Sequence, residues 1–318
     1  MKKKVIIILS ICLLIVSILL ATGYVLIGNY FYGISLDPNT DKTFVIGSNE
    51  QTDEEKKERE EQLKWLDDNS EDVYINSTNN GILRLHGYEI KSAEESDIWT
   101  IVIHGYMSRG DAMTGYSQKF NERGYNVLMI DLRGHGLSEG EYIGMGWHDR
   151  LDVIDWINYI LEKNPDSKIM LFGVSMGAAT TMMTTGENLP DNVKLAIEDC
   201  GYTSAWDEFK YQLKQLFNLP EFPVLYAASN SCKRKANYTF KEASAVEQLK
   251  KSKTPTLFIH GSADDFVPFE MLDIVYNSAN CEKEKLVVEN AGHVMSSVVD
   301  SELYWNTIDS FINQYLYR

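Results

Sequence analysis

An alternation constrains this chain more than any other feature. Short apolar runs recur from residue 99 onward, with longer segments of helical periodicity between them. The runs are Trp99 to Ile103, Val127 to Ile130, Ile169 to Phe172, Leu195 to Ile197, Thr256 to Ile259 and Leu286 to Val288. Each is too short and too continuously apolar for an amphipathic helix and reads as a strand covered on both faces. Tyr116 to Arg123, closed by Gly124, and His148 to Lys163 carry apolar residues at helical spacing. Strands joined by helical crossovers lie parallel, so the spacing predicts an α/β fold: a mostly parallel central sheet with helices on both faces. Upstream, Val73-Tyr74-Ile75 and the run Ile82 to Ile90 flank Asn79-Asn80-Gly81, which predicts a hairpin.

One interval breaks the alternation. Nearly sixty residues separate the strand at Leu195 from the strand at Thr256, far more than a simple crossover needs. Within it Trp206, Phe209, Leu213, Leu216 and Phe217 form an apolar stripe at helical spacing, ended by Leu219-Pro220. The economical reading is a small helical cap, about residues 203–253, inserted before the penultimate strand. Part of its stripe packs on the main domain. The insertion also leaves the sheet at the carboxyl ends of the strands, where ligands bind in such folds. Phe209 and Leu213 are therefore expected in a substrate pocket.

The N-terminus carries a different signal. Lys2, Lys3 and Lys4 precede an uncharged, mostly apolar run from Val5 to Ile27. As a helix that run spans roughly 34 Å, enough for a hydrocarbon core of about 30 Å. Ala21-Thr22-Gly23 offers a rival reading as a cleavage site, but Val25, Leu26 and Ile27 extend the run beyond a usual signal peptide. The expected organisation is an anchor at 1–27, a polar and acidic spacer at 28–72 and a catalytic domain at 73–318. With the lysines ahead of the span, the chain is expected to cross the cell membrane once, N-terminus inside and catalytic domain outside the cytoplasm. Asp53 to Asp67 reads as a solvated spacer helix, docked at one end through Leu63, Trp65 and Leu66.

The formal charge of −16 argues against a nucleic-acid partner, whose phosphates need a basic footprint. Much of that excess is local, since Glu50 to Asp72 holds eleven acids and four bases. Outside the anchor, Cys200, Cys232 and Cys281 are unevenly spaced. They form neither a disulfide framework nor a metal-ligand pattern, and read as buried structural thiols.

The chemistry is carried by Gly173-Val174-Ser175-Met176-Gly177. A strand precedes it and a helix is expected from near Ala178, the context that makes a G-x-S-x-G match specific. The glycines allow the tight turn that lifts a serine hydroxyl above the sheet, and the Met176 N–H is aimed at a developing oxyanion. A serine hydroxyl needs a base to take its proton. His293, in Ala291-Gly292-His293, directly follows the last strand. The orienting acid is expected after the preceding strand, where Asp264 and Asp265 are adjacent, with Asp199 a third option. Chemistry alone leaves these three open. The second oxyanion donor is expected from His104-Gly105-Tyr106, with the Tyr106 N–H as candidate. His104 itself reads as a structural loop histidine. The turn Asp131 to Ser138 lacks the spacings of phosphate-binding loops and reads as structural.

Together, His104-Gly105, the turn Asp131 to Gly136, the Ser175 elbow, His260-Gly261 with Asp264 and Val267-Pro268, and Gly292-His293 resemble the α/β-hydrolase superfamily. The resemblance covers roughly Val73 to the C-terminus. Within the superfamily the chain looks like bacterial membrane-tethered esterases grouped with serine aminopeptidase and prolyl-oligopeptidase-like hydrolases. The acid in that pattern is the aspartate of H-G-x-x-D-x-x-V-P, so the resemblance selects Asp264. The leading expectation is a serine hydrolase with no cofactor and no metal, cleaving a small-molecule carboxylic ester through an acyl-enzyme. A peptidase or acyltransferase would use the same three residues, although a peptidase is expected to carry a device for the substrate's amino terminus, such as paired glutamates. A silent binding protein on this scaffold would have lost Ser175, His293 or the acid, and all are present. A dehalogenase would have aspartate at position 175, and a dienelactone-type enzyme cysteine. Specificity and oligomeric state are not carried by these motifs.

Overall fold

The computed structural model describes residues 2–42, 52–79 and 82–318. Asn80 and Gly81 of the expected hairpin turn, and residues 43–51 of the expected spacer, lie outside them.

Eight strands form one sheet: β1 (Ser70–Ser77), β2 (Leu83–Ile90), β3 (Ile98–Ile103), β4 (Asn126–Ile130), β5 (Lys168–Val174), β6 (Val193–Asp199), β7 (Thr256–Gly261) and β8 (Lys283–Val288). Their order is β1-β2-β4-β3-β5-β6-β7-β8. β2 is antiparallel to both of its neighbours, and the pairs from β4 to β8 are parallel. The order reverses at β3, which pairs with β4 on one side and β5 on the other. The carboxyl ends of β3 and β5 therefore meet at the topological switch point, with Ile103 paired to Gly173.

Alternate side chains of the central strands go to opposite faces, as the two-residue strand period requires. Ile101, Ile103, Leu128, Ile130 and Leu171 lie in one core. Val102, Val127, Met129, Met170 and Phe172 lie in the other. The chain's eleven described α-helices are α1 (Lys2–Leu36), α2 (Asp53–Asn69), α3 (Thr114–Asn121), α4 (Asp149–Lys163), α5 (Met176–Thr185), α6 (Ala205–Phe217), α7 (Glu221–Ala236), α8 (Ala245–Leu249), α9 (Glu270–Ser278), α10 (Ser296–Val299) and α11 (Ser301–Tyr315). α4 covers the first core with Val153, Trp156, Ile157 and Ile160. α11 covers the second with Tyr304, Trp305, Ile308, Phe311 and Ile312. α2 starts with a reciprocal capping box between Thr52 and Glu55 and buries Leu66. The insertion between β6 and β7 is helical, built from α6, α7 and α8.

β1 starts at Ser70, inside the expected spacer, and two boundaries nearer the site also differ from the sequence reading. The helix after the elbow begins at Met176 rather than near Ala178. The apolar N-terminal helix does not stop at Ile27 but runs on to Leu36, so residues 28–36 are its last turns rather than the start of a spacer. The cause is packing. Gly28 lies so close to α7 that a Cβ there would come 2.3 Å from the Ala227 carbonyl oxygen, and Tyr32 and Leu36 are buried. By length and composition this helix could cross a membrane.

Candidate active site

Ser175 sits between β5 and α5 with φ 57° and ψ −118°, a region that a residue with a Cβ occupies only when its surroundings impose it. The flanking glycines show what imposes it. A Cβ on Gly173 would lie 2.1 Å from the Gly177 carbonyl oxygen, and one on Gly177 would lie 2.1 Å from that of Ile103. Strand, turn and helix can approach this closely only because both positions lack side chains. Met176 is the first residue of α5, so its N–H has no acceptor within the helix.

The structure brings together the three residues expected from three distant parts of the chain. The Ser175 hydroxyl lies 2.9 Å from His293 Nε2, and His293 Nδ1 lies 2.8 Å from Asp264 Oδ2. With Asp264 ionised, Nδ1 carries the proton and donates, which leaves Nε2 as acceptor for the hydroxyl. Asp264 Oδ1 accepts from the Phe266 and Val267 N–H groups. Burial would raise its pKa, but hydrogen bonds from His260 and His293 outweigh that and hold it down at about 2. Phe266 stacks on the His293 ring, centroids 4.8 Å apart.

The two other acids are placed elsewhere. Asp265 is exposed. Asp199 is buried and accepts from the Tyr304 hydroxyl at 2.9 Å, its pKa pushed by burial up to about 6. The loop after β3 lies against Ser175, where a Cβ on Gly105 would come 3.3 Å from Ser175 Cβ. Tyr106 follows, its hydroxyl donating to the Ser35 carbonyl at 2.6 Å. His104 is fully buried, with Nδ1 2.7 Å from the Gly105 carbonyl and Nε2 accepting from the Leu132 N–H. It supports the loop. Asp131 likewise serves its turn, accepting from the Gly110 and Leu137 N–H groups and from His86.

A cavity of about 780 Å³, counted out to its open mouth, begins at Ser175. Phe209, Leu213, Leu216 and Phe217 of the cap stripe line it, whereas Trp206 packs against Tyr226 instead. Three contributions were missed in the sequence. His260 Nε2 lies 3.2 Å from Asp264 Oδ2, a second imidazole on the same oxygen. Glu208 is a buried acid on the cavity wall, its carboxyl pushed by burial up to about 8. Phe31, Ile34 and Ser35 of α1 also line the cavity. His260 stood inside the motif that selected Asp264 but without a role, and no motif marked the others.

Among the described residues one cluster has metal-ligand proximity: atoms of Cys200, Asp264 and His293 lie within 4.8 Å of one another. Asp264 and His293 already bond each other, and burial pushes the Cys200 thiol well up, so it stays protonated and a poor ligand.

A doubly covered, mostly parallel sheet with a serine elbow at its switch point and a cap over the strand ends defines the α/β-hydrolase superfamily, and the chain belongs to it. The family described as serine aminopeptidase, S33, matches residues 95–215. The uncharacterised protein YqkD of Bacillus subtilis is 28% identical over 268 residues, covering 81% of this chain and 88% of that one. YfhR of Escherichia coli (strain K12) is 26% identical over 219 residues, covering 66% and 69%. Among solved structures, the Pyrococcus furiosus esterase Pf2001 aligns with TM-score 0.65 at 25% identity over 80% of this chain and 94% of that one. The Pyrococcus horikoshii acylaminoacyl peptidase shares the fold, with TM-score 0.57 at 18% identity over 78% and 42%. The chain is a hydrolase with esterase and peptidase neighbours.

Proposed function

We propose that the protein is a serine esterase, with Ser175 as nucleophile, His293 as base and Asp264 as the orienting acid. The observation that carries this reading is the continuous hydrogen-bond path from Ser175 Oγ through His293 to Asp264. Ser175 Oγ attacks the ester carbonyl while His293 Nε2 takes its proton. The carbonyl oxygen becomes an oxyanion, held by the Met176 and Tyr106 N–H groups. Collapse of this intermediate breaks the ester C–O bond, and His293 returns the proton to the leaving alcohol. A water then attacks the acyl-enzyme by the same route, giving the free acid and restoring Ser175. The apolar cap stripe over Ser175 supports an acyl group as the bound part.

A second reading, removal of an amino-terminal residue from a peptide, is favoured by one observation. Glu208 is a buried carboxyl on the cavity wall whose Oε1 accepts from Gln212, and it could face a substrate ammonium. A panel of chromogenic esters of rising chain length beside aminoacyl anilides separates the two. The ester reading expects turnover of the esters, and faster turnover of anilides than of every ester would replace it.

Helix α1 supports a membrane-anchored enzyme with its N-terminus inside and the catalytic domain outside the cytoplasm. Protease added to intact protoplasts should then remove the domain. Protection until lysis would place it inside.

A further inference from the structure

Helix α1 is part of the active-site wall. From Lys2 to Thr22 its residues are exposed, and the exposed apolar run ends at Ile27. Beyond it the helix is built into the cap. Gly28 abuts Ala227, and the Ser231 hydroxyl donates to Asn29 Oδ1. The Phe31 ring meets Phe217 edge-on at 5.5 Å, and the Ser35 carbonyl accepts from the Tyr106 hydroxyl. Phe31 and Ile34 face the cavity that begins at Ser175. Both follow closely on the end of the exposed run, so the cavity wall starts roughly 6 to 10 Å along the helix from Ile27.

Two further features belong to the same level of the helix. Tyr24, half-buried, and Tyr30, exposed, lie there, and aromatic rings of this kind collect at the bilayer interface. The last turn of α7 presents Lys233, Arg234 and Lys235, all exposed, with Lys235 Nζ 4.7 Å over the Tyr32 ring. In a chain of net charge −16, three consecutive bases beside the emerging helix suit the anionic headgroups of a lipid surface.

Building on the proposed triad and on the membrane reading of α1, we infer that the cavity takes the acyl chain of a lipid ester resident in the same bilayer. The last turns of α1 form the wall along which that chain enters. A long acyl chain crossing water would expose its whole apolar surface on the way. An apolar wall continuous with the membrane-spanning helix lets it reach Ser175 without that exposure. The reaction is the one already written: water adds across the ester bond, leaving a fatty acid and the headgroup alcohol.

The test uses the full chain reconstituted in vesicles of phosphatidylcholine with phosphatidylglycerol. Umbelliferyl palmitate is placed either in the same vesicles or in a separate population, and fluorophosphonate labelling of Ser175 is followed in parallel. The inference expects hydrolysis in the same bilayer to be faster by at least roughly tenfold, a factor that about two methylenes' worth of apolar transfer already supplies. Equal rates from the separate vesicles would overturn it. Absence of labelling on Ser175 would overturn the triad instead, so the two failures are distinguishable. Ile34→Trp, which fills the wall, should lower the ratio of palmitate to acetate turnover by roughly tenfold for the same reason. An unchanged ratio in a variant that still labels contradicts the inference. Should Ile34→Trp fail to label, Phe31→Ala decides in its place: a shifted ratio supports the wall, and an unchanged one removes it.

Discussion

His260 and His293 share one carboxylate oxygen. His293 Nδ1 lies 2.8 Å from Asp264 Oδ2, and His260 Nε2 lies 3.2 Å from the same atom while also 3.0 Å from the Val267 carbonyl. With two backbone N–H groups on Oδ1, Asp264 is fixed from every side. These bonds oppose rotation of the carboxylate away from the His293 imidazole.

Replacing that acid should therefore be costly. Asp264→Asn is expected to lower kcat/KM about 10⁴-fold by favouring the wrong tautomer of His293. Asp265→Asn changes an exposed side chain, and Asp199→Asn one bonded to Tyr304. Both should cost less than roughly tenfold, the scale of effects outside the reacting groups. Steady-state kinetics on the three variants decide the matter, and a larger loss at position 199 or 265 would reassign the acid.

The cap stripe makes a prediction about chain length. Phe209 and Leu213 line the cavity beside Ser175. Each buried methylene contributes about 0.8 kcal/mol, so each added CH₂ should raise kcat/KM roughly fourfold until the cavity is filled. Phe209→Ala or Leu213→Ala should move the preferred acyl length while acetate is still turned over. Flat rates from acetyl to octanoyl esters, with these variants only lowering Tm, would make the stripe simple core.

Glu208 carries a prediction about pH. Its carboxyl titrates at about 8 in the folded protein against an ordinary value of 4.5. Between those values the folded state holds a proton that the unfolded chain has released. This group's contribution to stability therefore falls as pH rises through that window and levels off above it. Glu208→Gln should flatten the dependence and leave the variant relatively more stable at about pH 8.5 than at about pH 5. Urea midpoints of both proteins at the two pH values measure this. Parallel pH profiles would mean that Glu208 is ionised in the native state.

Most of the sheet was legible because its strands are buried on both faces and stand out as apolar runs. The Ser175 elbow was legible because glycine is demanded on both sides by backbone approaches of 2.1 Å. Residues 28–36 were not. Asn29, Gly33 and Ser35 interrupt the apolar run, and the helix there is held by packing on α7 rather than by its own pattern. His260 stood inside the motif that selected Asp264, yet its contact with that carboxylate exists only in the folded turn. Glu208 was hidden for another reason: a glutamate in a helix is expected on the solvated face, and only the geometry of the cap buries this one.

Ser175 is expected to be acylated through the path to His293 and Asp264. The most direct measurement is mass spectrometry of the full-length protein after treatment with a fluorophosphonate, with ester turnover followed in the same samples. One adduct, mapped to the peptide containing Ser175, should appear in step with loss of turnover. Ser175→Ala should form no adduct and lose turnover by roughly 10⁴-fold or more. Stoichiometric labelling of the alanine variant, or an adduct on another residue that tracks the loss of activity, would contradict this role for Ser175.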